Sequence, residues 1–340
     1  MKKTVLENAL SALICILCFI HITGTVTAQT VSKKISPWYV CDNDCNFDDL
    51  APLKEFIGSI SVFGNPPKAF IDECHKYGIE VYHAVGGNEE AVDTPVKIKT
   101  MAESYLNDCL ENGYDGIDLD FEHLDPGIRR AYSDFLYEVS KKLHGAGKKL
   151  SHCVGYYKSF HENEVLDIFY DPVVIGKTCD LVRVMCYDLY FAPGRNVKAL
   201  EKRDDCQGIG PTSNYHFTKS AMAFWLKYVS KEKLIMGLPA YSNDYTMDLT
   251  GAGKQVYAAV PDSVSGNLPE PIWQYADKLH IYLYKALDGK THLFYASDDK
   301  STKSLLDIGD ELGIFNIGFW HFGSVDSKTW TVVREWMMNR

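Results

Sequence analysis

The chain has 340 residues, of which 46% are hydrophobic and 24% are charged, and it contains 25 Gly and 13 Pro. These proportions are typical of a packed globular protein and exclude a disordered, collagen-like or low-complexity chain. Acidic residues outnumber basic residues by 45 to 35, which gives a formal charge of −10. A chain with this charge and without a long basic run is not expected to bind nucleic acid or an anionic membrane surface.

The first 28 residues have the pattern of a secretory signal peptide. Lys2 and Lys3 precede an apolar run from Ala9 to Ile20, and small residues up to Ala28 follow it. The run is about a dozen residues long, whereas a membrane-spanning helix requires roughly 20. We therefore predict cleavage after Ala28 and a secreted or periplasmic protein, with a membrane anchor as the alternative.

Ten Cys residues are present, and eight of them remain after the predicted cleavage. Cys41 and Cys45 are the pair most suited to a disulfide, because the three residues between them form a short loop that can close. Most of the other Cys residues fall within apolar segments, where a free Cys behaves as a small hydrophobic residue.

A calcium-loop pattern begins at Asp42 and Asp44 but does not continue. Phe47 stands where such a loop requires Gly, and Leu53 stands where it requires Glu. The mature chain also lacks CxxC, HExxH and Cys/His zinc spacings. We therefore expect no metal site.

Short apolar, β-branched or aromatic segments alternate with amphipathic stretches along the mature chain. The eight segments predicted as strands are Ile35–Cys41, Ile57–Phe63, Gly78–Val85, Tyr114–Glu122, Lys149–Tyr156, Leu181–Asp188, Leu234–Ala240 and Ile314–His321. The predicted helices include Pro67–Tyr77, Ile98–Glu111, Ile128–Leu143, Tyr215–Val229 and Ser301–Leu312, the last with Ser301 as its N-cap.

Repeated βα units of this kind form either an open doubly wound sheet or a closed (β/α)8 barrel. No GxGxxG or GxxxxGK[ST] motif follows any predicted strand, so the open nucleotide-binding sheets lose their usual support. Eight strands favour the α/β class with a (β/α)8 TIM-barrel architecture, in one domain over residues 29–340.

The interval between the seventh strand and its helix, about residues 241–297, is unusually long. It contains Pro261, Gly266 and Pro269 and the β-like runs Ile281–Lys285 and His292–Tyr295. We predict a small, partly β insertion at the rim where the loops of such barrels build the active site, with a surface loop as the alternative.

The fourth strand carries three acidic side chains on one face. Because side chains alternate along a strand, Asp118, Asp120 and Glu122 share one face, and bulky apolar residues share the other. Burying unpaired carboxylates is costly, and like charges at short range raise at least one pKa. The pattern therefore favours an acid-base site inside the barrel over a solvated edge strand or an oxygen-rich metal cluster.

The segment from Asp115 to Glu122 resembles the DxxDxDxE signature of glycoside hydrolase family 18, the family of chitinases and endo-β-N-acetylglucosaminidases. Further motifs follow in the family's order on the predicted strands: Met185–Asp188 as MxYD, Met236–Tyr241 on the seventh strand, Asp299 with Ser301 before the last helix, and Trp320 at the end of the eighth strand. One departure lies on the third strand, where the family often has SxGG and this chain has Ala84 in place of the Ser.

The resemblance implies a role for each motif residue. Glu122 would be the general acid and base, Asp120 would hold the substrate's acetamido N–H, and Asp118 would support Asp120. Tyr187 would donate its hydroxyl to the acetamido oxygen. Residues implied to bind sugar are Trp320, Met185, Asp188 and Tyr241. Tyr187, Trp320, Met185 and Tyr241 could instead be core residues, and Trp38, Tyr39 and Phe63 are weaker candidates for lining the cleft.

The function implied is a secreted retaining glycosidase that cleaves β-1,4 bonds next to N-acetylglucosamine without a cofactor, because the substrate's own N-acetyl group is the nucleophile. Candidate substrates are chitin oligosaccharides, the chitobiose core of N-glycans and peptidoglycan. Alternatives are a non-catalytic chitooligosaccharide-binding lectin on the same barrel and an exported barrel enzyme of unrelated chemistry. The choice between endo and exo cleavage and the oligomeric state stay open.

Overall fold

The computed structural model describes residues 32–41, 45–155, 168–190, 209–247, 253–256, 269–287 and 289–339. The predicted signal peptide, the calcium-like loop residues Asp42 and Asp44, and the end of the predicted strand Lys149–Tyr156 lie outside these ranges. No helix among the described residues is long and apolar enough to span a membrane.

The described residues contain fourteen strands in chain order. They are β1 (Lys34–Ile35), β2 (Trp38–Cys41), β3 (Ser59–Gly64), β4 (Glu80–Val85), β5 (Gly116–Leu119), β6 (Lys149–Val154), β7 (Leu181–Met185), β8 (Leu234–Pro239), β9 (Ser242–Thr246), β10 (Gly253–Val256), β11 (Ile272–Gln274), β12 (Leu279–Lys285), β13 (Thr291–Ala296) and β14 (Asn316–Trp320).

Eight α-helices lie between or after these strands in the described part of the chain. They are α1 (Phe47–Leu50), α2 (Lys68–Lys76), α3 (Pro95–Asn112), α4 (Arg129–Gly145), α5 (Pro172–Thr178), α6 (Tyr215–Trp225), α7 (Asp299–Leu312) and α8 (Ser327–Met338).

The larger sheet is parallel and has the order β1-β14-β8-β7-β6-β5-β4-β3-β2. Its two ends, β1 and β2, are halves of the first predicted strand, interrupted at Ser36 and Pro37. Ser36 N–H donates to the carbonyl of Ile317 on β14, and the Pro37 carbonyl accepts from Ser61 N–H on β3. Because one strand pairs on both sides, the sheet closes, and the predicted (β/α)8 barrel is confirmed.

The N-terminus of α7 differs from the prediction. The cap is Asp298, whose carboxylate accepts a hydrogen bond of 2.9 Å from Ser301 N–H, so Ser301 lies inside the helix. An Asp side chain satisfies the first free N–H groups of a helix as well as Ser does, and its charge is favourable there. The predicted end of the helix is correct, because Gly313 adopts the left-handed conformation that terminates it.

The outward faces of the barrel strands pack against the helices and form the main core. On β7, for example, Val182 and Val184 are fully buried in this core, and on β8 Leu234, Met236 and Leu238 are. The inward faces hold the polar residues and several large aromatic rings. Gly237 leaves room for one of these, because a Cβ there would lie 2.7 Å from Cη2 of Trp38.

The insertion predicted between the seventh strand and its helix contains a five-stranded antiparallel sheet in the order β10-β9-β13-β12-β11. The side chain of Asn243 on β9 donates to the carbonyls of Tyr190 and Gly210, and Tyr245 also donates to Gly210. The sheet is thereby joined to segments beyond the end of β7, on the rim where the C-terminal ends of the barrel strands lie.

Candidate active site

The acidic segment runs from β5 out of the barrel at its C-terminal end. β5 ends at Leu119, and Asp120 continues the line by donating its N–H to the carbonyl of Val85 at 2.8 Å. Phe121 points outward and is buried in the main core. Gly87 is required beside it, because a Cβ there would lie 2.3 Å from Cε1 of Phe121. Asp120 and Glu122 thus face the site, as the strand alternation predicts.

Asp118 is fully buried at the base of this segment. Its Oδ2 atom accepts a hydrogen bond of 2.5 Å from the Ser61 hydroxyl and one of 3.3 Å from the Cys153 thiol. Nε of Arg183, which is also fully buried, lies 3.3 Å from the same oxygen. The Oδ1 atom of Asp118 has no hydrogen-bond partner among the described residues.

Asp120 lies one step nearer the rim and is largely buried. Burial, followed by the negative charges of Glu122 and Asp118, raises its pKa to about 8, although a hydrogen bond from Cys153 acts in the opposite direction. Its Oδ1 atom, like that of Asp118, lacks a partner among the described residues. Burial and the neighbouring charges therefore favour the protonated form of Asp120 at neutral pH.

Glu122 is the most exposed acid of the three, with 45% of its side chain accessible. Nε2 of His123 lies 3.4 Å from its Oε2 atom, and the backbone of His123 has a φ of 57°. The accessibility places Glu122 where a substrate can reach it, whereas Asp118 and Asp120 are held beneath.

A separate cluster of aromatic and sulfur-containing side chains forms the floor beside the acids. Trp38, Cys153, Tyr187 and Tyr241 are buried in it, and Phe63, Met185 and Trp320 pack against its edge. The Trp38 ring centroid lies 5.8 Å from that of Tyr187 and 6.2 Å from that of Trp320, both in edge-to-face geometry. We call these seven residues the aromatic floor.

Tyr187 is buried in this floor, and burial raises the pKa of its hydroxyl well above the usual value, so it stays a hydrogen-bond donor. The next residue, Asp188, has a φ of 58°. Its Oδ1 atom accepts a hydrogen bond from the Tyr241 hydroxyl. The end of the MxYD motif and the segment between β8 and β9 therefore meet at one point of the site.

The structure brings all eight predicted site residues to one end of the barrel, around the acidic segment and the aromatic floor. Among the weaker candidates, Trp38 belongs to the floor, and Phe63 contacts Trp320 with ring centroids 5.1 Å apart. Tyr39 points outward instead and stacks on Phe70 at 5.4 Å, because it alternates with Trp38 along β2.

Three residues at the centre of the site were missed by sequence reasoning: Ser61, Cys153 and Arg183. Each lies on a barrel strand and has the inward parity of that strand, and the chain neighbours of Ser61 and Arg183 are apolar. Arg183 gave the clearest signal, since a charged residue between Val182 and Val184 is costly to bury unless it is paired.

The family model "Glycosyl hydrolases family 18" matches residues 33–324 of this chain. The chain belongs to glycosyl hydrolase family 18. This confirms the enzyme class that the motifs predicted, a glycoside hydrolase.

Individual relatives of this family-18 chain are distant. The uncharacterized glycosylase YvbX of Bacillus subtilis is 20% identical over 359 residues, which cover 98% of this chain and 99% of that protein. A cortical fragment-lytic enzyme of the same organism is 22% identical over 245 residues, which cover 70% of this chain but only 54% of that enzyme. The crystal structure of a chitinase from Chromobacterium violaceum superimposes with a TM-score of 0.70 at 18% identity, covering 91% of this chain and 100% of the chitinase.

Proposed function

We propose that this family-18 enzyme hydrolyses a β-1,4 bond next to N-acetylglucosamine, with net retention of configuration and with the substrate's N-acetyl oxygen as the nucleophile. The observation that carries the proposal is the difference in exposure along the acidic segment. Glu122 is accessible, whereas Asp118 is fully buried and Asp120 largely so. A double displacement needs a second carboxylate that can reach the anomeric carbon, and a substrate-assisted mechanism does not.

Each residue then has a chemical task. Glu122 protonates the glycosidic oxygen while the acetamido oxygen attacks the anomeric carbon, so that the leaving sugar departs and an oxazolinium ion forms. Tyr187 donates its hydroxyl to the acetamido oxygen and aligns it for attack. Asp120, as an anion, accepts the acetamido N–H and stabilises the positive ring. Glu122, now a carboxylate, removes a proton from the water that opens the ring from the same face.

The protonation of Asp120 is consistent with this sequence of steps. Its pKa of about 8 in the unliganded protein means that the site stores a proton there before substrate arrives. The oxazolinium is a cation, and a nearby positive charge favours the carboxylate form of an acid. The intermediate therefore favours the carboxylate form of Asp120, the form that accepts the acetamido N–H.

The aromatic floor supports a sugar as the ligand. Aromatic rings stack on the apolar faces of pyranose rings, and Trp320, which is partly accessible, packs edge-on against both Trp38 and Phe63. The carboxylate of Asp188 and the hydroxyl of Tyr241 supply polar groups at the side of the floor. We propose a short soluble oligosaccharide, of chitin or of the N-glycan core, as the first substrate class.

Peptidoglycan fragments are a second candidate, favoured by the similarity to an enzyme named cortical fragment-lytic. Such fragments also present N-acetylglucosamine in β-1,4 linkage. A non-catalytic lectin is disfavoured, since the acid position is occupied by an accessible Glu122.

The test is hydrolysis of chitotriose to chitohexaose, a high-mannose glycoprotein and peptidoglycan fragments, with products identified by mass. Cleavage with the β-anomer as the first product, read by proton NMR, supports retention. Cello-oligosaccharides, which have a hydroxyl instead of the acetamido group, should not be cleaved. If the protein binds sugars of the panel but cleaves none of them, the lectin is favoured. Cleavage of cello-oligosaccharides at comparable rates would exclude the N-acetyl nucleophile.

We further propose that the protein is exported and processed after Ala28. Expression in a host with a general secretory pathway, followed by mass determination of the exported chain, tests this proposal. A product that begins at Gln29 is expected, and a full-length chain retained in the membrane fraction would favour the anchor.

A further inference from the structure

Arg183 lies at the middle of β7, inside the barrel, and is fully buried. Its Nη1 donates to the Ser36 carbonyl at 2.6 Å and its Nη2 to the Ser59 hydroxyl at 3.3 Å. Its Nε lies 3.2 Å from the Ser151 hydroxyl and 3.3 Å from Oδ2 of Asp118. Three strands, β3, β5 and β6, and the break between β1 and β2 thus fix the guanidinium from different sides.

Water has no access to either member of the pair formed by Arg183 and Asp118. Both side chains are fully inaccessible, and the guanidinium carbon lies 5.8 Å from the Trp38 ring and 5.9 Å from the Tyr82 ring. A buried charge is tolerated only when it is paired and hydrogen-bonded. The carboxylate of Asp118 therefore allows Arg183 to be buried, and the guanidinium allows Asp118 to be buried. The position also bears on the chemistry, because Asp118 is the support of Asp120.

We propose that Arg183 is a positioning residue of the acidic segment. It balances the charge of Asp118 and holds this carboxylate in one orientation, so that Asp120 is the carboxyl that stores the proton and later releases it. The inference rests on the function proposed above. Arg183 touches neither substrate nor reacting atoms and acts through Asp118.

Several other titratable groups face this pair and contribute to its protonation. The described ones, on four different elements, are Asp120 and Glu122 after β5, Tyr82 on β4, Cys153 on β6, and Tyr187 after β7. His152 on β6 points outward to Tyr132 and lies behind the pair. Burial raises the pKa values of the Tyr and Cys residues and lowers that of His152, so all four are neutral near pH 7. The charge balance there therefore depends on the three carboxyls and Arg183.

The experiment compares the pH profiles of kcat/KM for the mature enzyme, R183M, D118N and the double variant D118N/R183M. Loss of the positive charge raises the proton affinity of every carboxyl nearby. The acidic limb and the basic limb of the R183M pH profile should therefore both move to higher pH, by about one pH unit or more. Loss of the negative charge in D118N should move both limbs downward. The double variant, in which neither charge is present, should have limbs close to those of the unmodified enzyme.

Two further variants separate positioning from general stability. R183K keeps the charge but not the planar fork, so its limbs should stay in place while its rate falls, and it is measurable even if R183M does not fold. Lys233→Met is the matched control, because Lys233 donates to the carbonyls of Gly176 and Cys179 at the other end of the barrel. Its limbs should not move. Unmoved limbs in both R183M and D118N, with only lower rates, would overturn the proposal.

A measurement without turnover distinguishes this proposal from the proposed function. Infrared difference spectra follow the carbonyl band of a protonated carboxyl group, which D120N assigns to Asp120. In R183M the band should persist to higher pH, and in D118N/R183M it should titrate as in the unmodified protein. If no sugar in the panel is cleaved, the proposed function fails while this titration still decides the role of Arg183. A band that titrates identically in R183M and the unmodified protein would exclude that role.

Discussion

Ser61 on β3 donates a 2.5 Å hydrogen bond to Asp118 on β5, two strands away in the barrel. On the intervening strand β4, Ala84 is in register with Asp118. This alanine stands where family 18 often has the Ser of its SxGG motif. In this chain a hydroxyl reaches Asp118 from β3, so the departure at Ala84 does not leave Asp118 without a hydroxyl donor.

Replacing Ser61 by Ala should destabilise the protein and lower its kcat. A hydrogen bond to a charged group contributes about 1.5–3 kcal/mol, and the free energy of unfolding measured by urea denaturation should fall by that amount. Ala84→Ser in the same background should restore part of the loss, because its side chain shares the inward face with Asp118. Ser133→Ala, which removes a hydroxyl bonded to the Arg129 carbonyl on α4, is the control. Equal effects of the two Ser replacements on kcat would contradict the assignment.

Replacing Glu122 by Gln should abolish the acid step and keep the shape of the site. We expect kcat to fall by about 10²–10⁴-fold, the usual contribution of general acid-base catalysis. Calorimetric binding of chitohexaose should be retained, since the aromatic floor is unchanged. Glu103→Gln, which breaks a surface pair with Lys142, provides the matched control and should leave the rate unaltered. A Glu122→Gln variant that cleaves at the original rate would remove Glu122 from the mechanism.

The free energy of unfolding should fall as the pH rises, because the folded protein holds the proton of Asp120 more tightly than the unfolded chain does. The pKa of Asp120 is about 8 when folded and near 4 when unfolded, so the native state binds the proton more tightly. The resulting stabilisation is complete below pH 4 and is lost as the pH rises through 8. Asp120→Asn cannot ionise, so the difference in melting temperature, variant minus unmodified protein, should increase between pH 4 and pH 9. A difference independent of pH would show that the folded pKa is not raised.

Replacing Tyr187 by Phe should lower kcat with little change in KM. The ring stays in the aromatic floor, but the hydroxyl that aligns the acetamido oxygen is absent. Removal of one such donor costs about 10²-fold in kcat in comparable sites. Tyr137→Phe, at an exposed position of α4, is the control. An unchanged kcat together with a raised KM would instead assign Tyr187 to ground-state sugar binding.

Much of the fold was predictable because it depends on local periodicity. The alternation along each strand and the amphipathic stretches between them predicted eight strands and the barrel. The boundaries were less accurate, as at α7, where Asp298 rather than Ser301 caps the helix. The break at Ser36 and Pro37 was also not predicted, since it arises from pairing with β14 on one side and β3 on the other.

The candidate site also has features that the sequence determined and features that only the fold determined. The sequence by itself determined which acids share a face, because two-residue alternation requires Asp118, Asp120 and Glu122 to point together. It also carried the motifs that identify the family. These properties are local along the chain, so no knowledge of distant strands was needed.

Only the tertiary structure decided how those acids are held. Ser61, Cys153 and Arg183 come from three different strands, and their convergence on Asp118 depends on the order and register in which the barrel closes. The raised pKa of Asp120 has the same origin, since burial and neighbouring charge exist only after folding. Charge partners and desolvation are properties of residues brought together in space, and spacing along the chain does not contain them.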